Sequence, residues 1–242
     1  MIAEVFWFCL AAFAFGGAGT YVAGRKAEPR RRRERWLKFA IYFLVMNSVL
    51  LLAALGRAGF SCFAVLLLAI GAHELSTVLA GAHELGTGAR AAIWAAYGCF
   101  GSGLFLFSFF SATRRIQFVY LVVAVFDGFS QVCGHLFGKH RLAPSISPHK
   151  TVEGAIGGIL AAAVTAEVLR GLLNSGPGPA LAVSGVLVTA AWAGDLSGSW
   201  IKRRGGVKDF GRLLPGHGGV LDRFGSFVFA APVALTLFSG WF

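Results

Sequence analysis

Acidic side chains are scarce in this chain. Asp and Glu number 11 among 242 residues, against 22 Lys and Arg, and charged residues of both signs make up only 14%. So little charge, beside 56% hydrophobic residues and a mean hydropathy of +0.69, excludes an ordinary water-soluble domain. Cysteine is sparse too. Cys9, Cys62, Cys99 and Cys133 fall in separate apolar runs, with no CxxC pair and no histidine cluster beside them. That spacing argues against a zinc site and predicts buried free thiols. No basic residue precedes the first apolar run, which carries Glu4, and the positive charge follows it. That order argues against a cleaved secretory signal and predicts a retained signal anchor with its N-terminus outside.

What the chain does have is long apolar stretches of about 17–25 residues, the length an α-helix needs to cross roughly 30 Å of hydrocarbon. Eight spans are predicted, at residues 5–22, 39–55, 60–80, 91–111, 116–136, 152–173, 180–200 and 223–242. The predicted fold class is all-α, a polytopic integral membrane helical bundle of about eight transmembrane helices. Residues 1–115 form its N-terminal helices with a basic inner loop, and residues 116–242 form the region that carries the chemistry.

The excess of Lys and Arg expected in cytoplasmic loops tests this topology. With the N-terminus outside, 18 of the 22 basic residues fall on the inner side. Arg57, Arg114, Arg115 and Arg170 are the exceptions. The run Arg30-Arg31-Arg32-Arg33 sits between two spans, where topology and attraction to anionic lipid explain it, so no nucleic-acid partner is expected.

Four carboxylates lie in or beside spans: Asp127, Glu153, Asp195 and Asp222. An ionised Asp at mid-bilayer costs about 2.5–3.5 kcal/mol on insertion scales, so such a residue marks a polar cavity with a cation to bind. On a helix, Asp195, Ser199, Lys202 and Arg203 share one face running toward the inner end, suited to holding a metal and a phosphate together. The glycine-rich segment 205–223 follows, containing Lys208, Asp209, Arg212, His217, Gly218, Gly219, Asp222 and Arg223. Glycines there let backbone N–H groups approach an anion, and the next helix N-terminus adds a favourable dipole. The inner loop 137–154 has similar ingredients, with Lys139, His140, Arg141, Ser145, Ser147 and Lys150 ahead of Glu153 in the first turn of a helix. A short echo, Gly71-Ala72-His73-Glu74-Leu75 and Gly81-Ala82-His83-Glu84-Leu85, lacks the second His of a zinc HExxH pattern. Its residues are expected to be polar helix-end and loop groups outside the site.

The run Ser199-x-Ile201-Lys202-Arg203-x4-Lys208-Asp209-x-Gly211-x2-Leu214-Pro215-x-His217-Gly218-Gly219-Val220-x-Asp222-Arg223-Phe224 closely resembles the signature of the phosphatidate cytidylyltransferase (CDP-diglyceride synthase) family. Upstream, Phe137-Gly138-Lys139-His140-Arg141-Leu142-Ala143-Pro144 and Ser147-Pro148-x-Lys150-Thr151-x-Glu153-Gly154 look like that family's second motif, with Asp127 where members usually carry an Asp before it. The resemblance covers about residues 120–235. Two departures stand out: the signature ordinarily ends Asp-Arg-x-Asp, where this chain has Gly225, and many bacterial members carry Glu at the position of Gly198.

The resemblance implies CMP transfer from CTP to phosphatidate, giving CDP-diacylglycerol and pyrophosphate for phospholipid synthesis, in an inner-membrane enzyme whose site faces the cytoplasm. It implies Asp195 and Asp222 as the metal pair for Mg²⁺, with a second metal ion left open. Lys202, Arg203, Lys208, Asp209, His217 and Arg223 carry the catalytic roles, and Ser147, Lys150, Ser199, Gly218 and Gly219 contact substrate. Membrane lipids and a homodimer are the partners it implies. Open alternatives are a CTP-dependent enzyme acting on another lipid (a CDP-archaeol-type synthase or a polyprenol or phytol kinase), a catalytically impaired family member, and a secondary transporter with intramembrane aspartates.

Overall fold

The computed structural model describes residues 2–25, 28–214, 216 and 218–241, without the side chains of residues 2, 3, 23, 240 and 241. Its helices are α1 (Ile2–Gly24), α2 (Pro29–Ala54), α3 (Arg57–Gly81), α4 (Thr87–Phe110), α5 (Thr113–Phe137), α6 (Val152–Val168), α7 (Pro177–Arg204) and α8 (Leu221–Trp241). Between α5 and α6 the chain forms an antiparallel hairpin, β1 (Arg141–Ala143) and β2 (Ser147–Thr151). A 3₁₀ turn at Arg170–Leu173 follows α6 and ends on Asn174, at φ 53°, before Pro177 opens α7.

All eight predicted spans are helical, and seven of the helices are long and apolar enough to cross a membrane. The span predicted at 152–173 is divided into the 17-residue α6 and the 3₁₀ turn. The outer surface is apolar: Leu44, Leu51, Leu66, Leu160 and Val164 are each more than 60% exposed, as suits side chains solvated by lipid tails. The protein is an integral membrane protein. Of its free thiols, Cys9 is buried and Cys133 partly so, whereas Cys62 and Cys99 are exposed on apolar helix faces, contrary to the expectation that all four are buried.

Lipid tails are as apolar as leucine, so the hydrophobic effect does little to pair these helices, and close backbone approach does more. Gly154, Gly158, Ala162 and Ala166 recur every fourth residue on the buried face of α6. A Cβ built on Gly154 would lie 2.6 Å from the Ser130 carbonyl oxygen of α5, so the two backbones touch there. Helices α7 and α8 meet where Gly194 lies against Phe229, whose ring stacks on Phe100 of α4 at 4.0 Å between centroids. Gly103 of α4 receives Pro232 of α8. One core joins both predicted regions, with Met46, Val49, Phe60 and Leu67 packed together with Phe118, Leu121, Leu187 and Phe227.

The basic connections gather at one end of the bundle. Arg203, at the end of α7, donates to the Ile146 carbonyl of the hairpin at 3.2 Å. Arg204 lies 3.8 Å from Glu84 of the α3–α4 connection, and the stem of Lys38 from α2 covers Gly216.

Candidate active site

Thr151 caps α6 by accepting the Gly154 N–H at 3.1 Å, and Glu153 in the first turn accepts from the backbone N–H groups of Lys139 and His140. His140 Nδ1 stands 2.6 Å from the same carboxylate. These contacts, the imidazole first, hold the Glu153 carboxyl down to about 2. Glu153 therefore braces the hairpin, whose strand β2 carries Ser147 and Lys150. Lys150 Nζ reaches Asp195 Oδ2 at 2.6 Å.

The α7 face read from the sequence does point into this region. Asp195 meets Lys150, Ser199 is buried, Lys202 meets α8, and Arg203 donates to Ile146 and, at 3.5 Å, to the Val207 carbonyl. Lys202 Nζ donates to Asp222 Oδ1 at 2.6 Å and lies 5.3 Å from the centre of the Phe210 ring. Asp222 Oδ2 accepts the Phe210 N–H at 2.7 Å and the Gly219 N–H at 2.8 Å. One carboxylate, whose side chain is only 3% exposed, thus ties together the end of α7, the middle of the loop and the start of α8.

Beside it lies a second charged group that spans three helices. Asp127 of α5 accepts a hydrogen bond from Ser226 of α8 and repels Asp195 of α7, with Arg223 and Lys150 as the opposing cations. Tyr42 of α2 approaches the same cluster and donates to the Ala124 carbonyl at 2.6 Å. Asp127, one of the span carboxylates singled out in the sequence, thus stands beside the site, although the signature resemblance assigns it no role.

Lys208 and Asp209 are exposed on the loop, with the Asp209 Cβ near Gly218. His217 lies outside the described residues. The glycines also make room for protein carboxylates. A Cβ on Gly218, at φ +84°, would sit 2.6 Å from Asp222 Oδ2, and one on Gly211 would sit 2.5 Å from Glu74 Oε1. The donors at the loop and at the α8 N-terminus are engaged by protein carboxylates, Asp222 and Glu74. Gly218→Ala is expected to cost about 1–3 kcal/mol, from left-handed backbone strain and from displacing Asp222, read as a lower unfolding midpoint in detergent.

Glu74 corrects the reading of the echo. Its carboxylate is buried and accepts the N–H groups of Val220 at 2.8 Å and Leu221 at 2.9 Å, whereas Glu84 is exposed. Two identical pentapeptides thus have different roles, one inside α3 and the other at its end and in the α3–α4 connection.

Fold and site together define an integral membrane protein with an acid–base centre built into one mouth of its helical bundle. The chain belongs to the cytidylyltransferase family, whose profile matches residues 1–240. It is 43% identical over 134 residues to the phosphatidate cytidylyltransferase of Staphylococcus haemolyticus, covering 52% of each chain. It is 46% identical over 122 residues to that of Staphylococcus epidermidis, covering 50% of this chain and 47% of the relative. Against that of Staphylococcus aureus the figure is 41% over 134 residues, or 52% of each chain. The chain spans about half the length of the curated relatives it matches.

Proposed function

We propose that this protein transfers CMP from CTP to phosphatidate, forming CDP-diacylglycerol and releasing pyrophosphate. The observation that carries the reading is the pair of lysine–aspartate contacts, Lys202–Asp222 and Lys150–Asp195, at the polar mouth of a chain from the cytidylyltransferase family. In this reaction a phosphomonoester oxygen of phosphatidate attacks the α-phosphorus of CTP. The new P–O bond forms as the bond to the β-phosphate bridge oxygen breaks, and the electron pair leaves with pyrophosphate. The nucleophile is already an anion at neutral pH, so repulsion between two polyanions is the obstacle. Lys150, Lys202, Arg203, Lys208 and Arg223 oppose that charge, with Ser147 and Ser199 as hydroxyl partners for phosphate. His217, Gly218 and Gly219 would face the triphosphate, and Asp209 would orient Lys208.

The residues present fit Mg²⁺. Asp127, Asp195 and Asp222 offer hard carboxylate oxygens, the donor type that Mg²⁺ takes. Among the described residues no three His, Cys, Asp or Glu converge as a ready-made cage. Mg²⁺ needs only one or two protein carboxylates, with phosphate oxygens and water completing its shell. Asp195 and Asp222 would hold it, with Asp127 beside them. When bound it supplies charge neutralisation of phosphate oxygens. A second metal ion and a homodimer remain part of the proposal through the family resemblance.

The charged mouth faces the cytoplasm in this reading, because basic connections gather there and CTP is a cytosolic solute. Phosphatidate then keeps its acyl tails among or beside the helices while its phosphate reaches the same interface. Purified protein given CTP labelled at the α-phosphate, phosphatidate in mixed micelles and Mg²⁺ is expected to form labelled CDP-lipid with one pyrophosphate per turnover. Label that enters lipid only from the γ-phosphate would make the protein a lipid kinase, and no labelled lipid at all would overturn the transfer reading.

Gly225 lies one turn beyond Asp222, and a Cβ there would meet nothing within 4 Å. Gly225→Asp is therefore expected to change stability by no more than about 0.5 kcal/mol and to leave activity of the parent order. Activity found only in this variant would instead identify a catalytically impaired family member.

A further inference from the structure

We propose that Glu74 is a positioning residue for the signature segment, a buried carboxylate on α3 that sets where the α7–α8 loop and the first turn of α8 stand. Its two oxygens accept from consecutive backbone groups, Val220 N–H on Oε1 and Leu221 N–H on Oε2. These are among the N–H groups that a helix start leaves without an intrahelical partner, so the carboxylate acts as a cap delivered from 146 residues away. The contact is wider than one side chain. Gly71, three residues before Glu74, packs on Leu221, where a Cβ would lie 2.9 Å from Cδ2. Val78, four residues after it, packs on Gly205 at the other end of the segment, where a Cβ would lie 2.6 Å from Val78 Cγ1. Gly71, Glu74 and Val78 lie on one face of α3, so that face grips both ends of the 205–221 stretch. Gly211 and Gly219 lack side chains where one would collide with Glu74.

The consequence falls on Asp222, which follows Leu221 directly and takes the Gly219 N–H on the same turn. A helix start held by Glu74 holds Asp222 against Lys202, although Glu74 itself contacts neither Lys202 nor Asp222 by hydrogen bond among the described contacts. The kinetic arm of this inference rests on the CMP-transfer reading, and the exchange arm does not.

Glu74→Gln keeps the size of the side chain but turns an amide donor toward one of the two N–H groups. In the full-length purified protein, hydrogen exchange over residues 218–224 is expected to accelerate by about 10-fold or more while α5 and α6 keep their protection. KM for CTP is expected to rise by about 10-fold, with KM for phosphatidate within about 2-fold of the parent, because the loop and not the lipid end has moved. Glu74→Asp, which keeps the charge on a shorter arm, is expected to recover part of both losses and serves as the deciding variant if Glu74→Gln does not fold. Glu84→Gln, the echo position, is expected to change nothing. Parent-like exchange over 218–224 in the deciding variant, or acceleration spread evenly through the bundle, overturns the positioning role. If the parent makes no CDP-lipid, the transfer reading fails and the exchange result alone decides for or against Glu74.

Discussion

Asp222→Asn is expected to lower CDP-lipid formation by about 100-fold or more, the scale of losing a preorganised charged group at a reacting centre. Oδ1 takes Lys202 and Oδ2 takes two backbone N–H groups, so an amide must aim its NH₂ at one donor set or the other. The side chain is 3% exposed, and Lys202, at 16%, then lacks its partner in a mostly buried position. Breaking a buried pair by removing one member costs about 3–5 kcal/mol, and the residual exposure of Lys202 places the loss toward the lower figure. Adding Lys202→Met to Asp222→Asn is expected to return much of that stability and none of the turnover. Thermal unfolding in detergent reads the first quantity and labelled CTP incorporation the second. Turnover near that of the parent in Asp222→Asn would remove this carboxylate from the chemistry.

Asp195→Asn separates chemistry from folding more sharply. Asp195 is 40% exposed, so solvent screens its contact with Lys150, but the Lys150 side chain is only 20% exposed and loses its partner, so the substitution is expected to cost about 1–2 kcal/mol, less than Asp222→Asn. CDP-lipid formation is nevertheless expected to fall by about 100-fold, since Asp195 is one of the two carboxylates expected to hold Mg²⁺. The Mg²⁺ concentration for half-maximal residual activity is expected to rise in the same variant. A parent-like Mg²⁺ dependence with parent-like turnover would place the metal elsewhere. Thermal unfolding of the same variant in detergent separates a lost activity from unfolded protein.

Much of this architecture was legible from residue order. A helix satisfies its own backbone in lipid, so apolar runs of the right length between charged loops become helices, and among the described residues seven of the eight predicted spans coincide with helices long and apolar enough to cross a membrane. The ends were less legible. Helix α2 begins at Pro29, ten residues ahead of its predicted span, because hydropathy reports the thickness of hydrocarbon while arginines continue a helix above it. The hairpin at residues 141–151 was read as a loop, since its strands are short and basic and carry Pro148.

The site divides the same way. Asp195, Ser199, Lys202 and Arg203 share a face by helical spacing alone, and the structure turns that face toward Lys150, Asp222 and Ile146. Glu74 carries one signal in the sequence, its place inside the span predicted at 60–80 while Glu84 falls outside any span, but the shared pentapeptide hides which backbone groups it meets. The glycines that the sequence offers to an anion also leave room for Asp222 and Glu74, which only the packing reveals.

Hydropathy, charge placement and the spacing of residues on single helices establish a membrane bundle and the inventory of groups at its mouth, because those properties act over a few turns of chain. Which lysine meets which aspartate, and which of two identical glutamates reaches α8, depends on helices far apart in sequence. Those contacts exist only once small residues let the helices close, so packing, not local pattern, decides them.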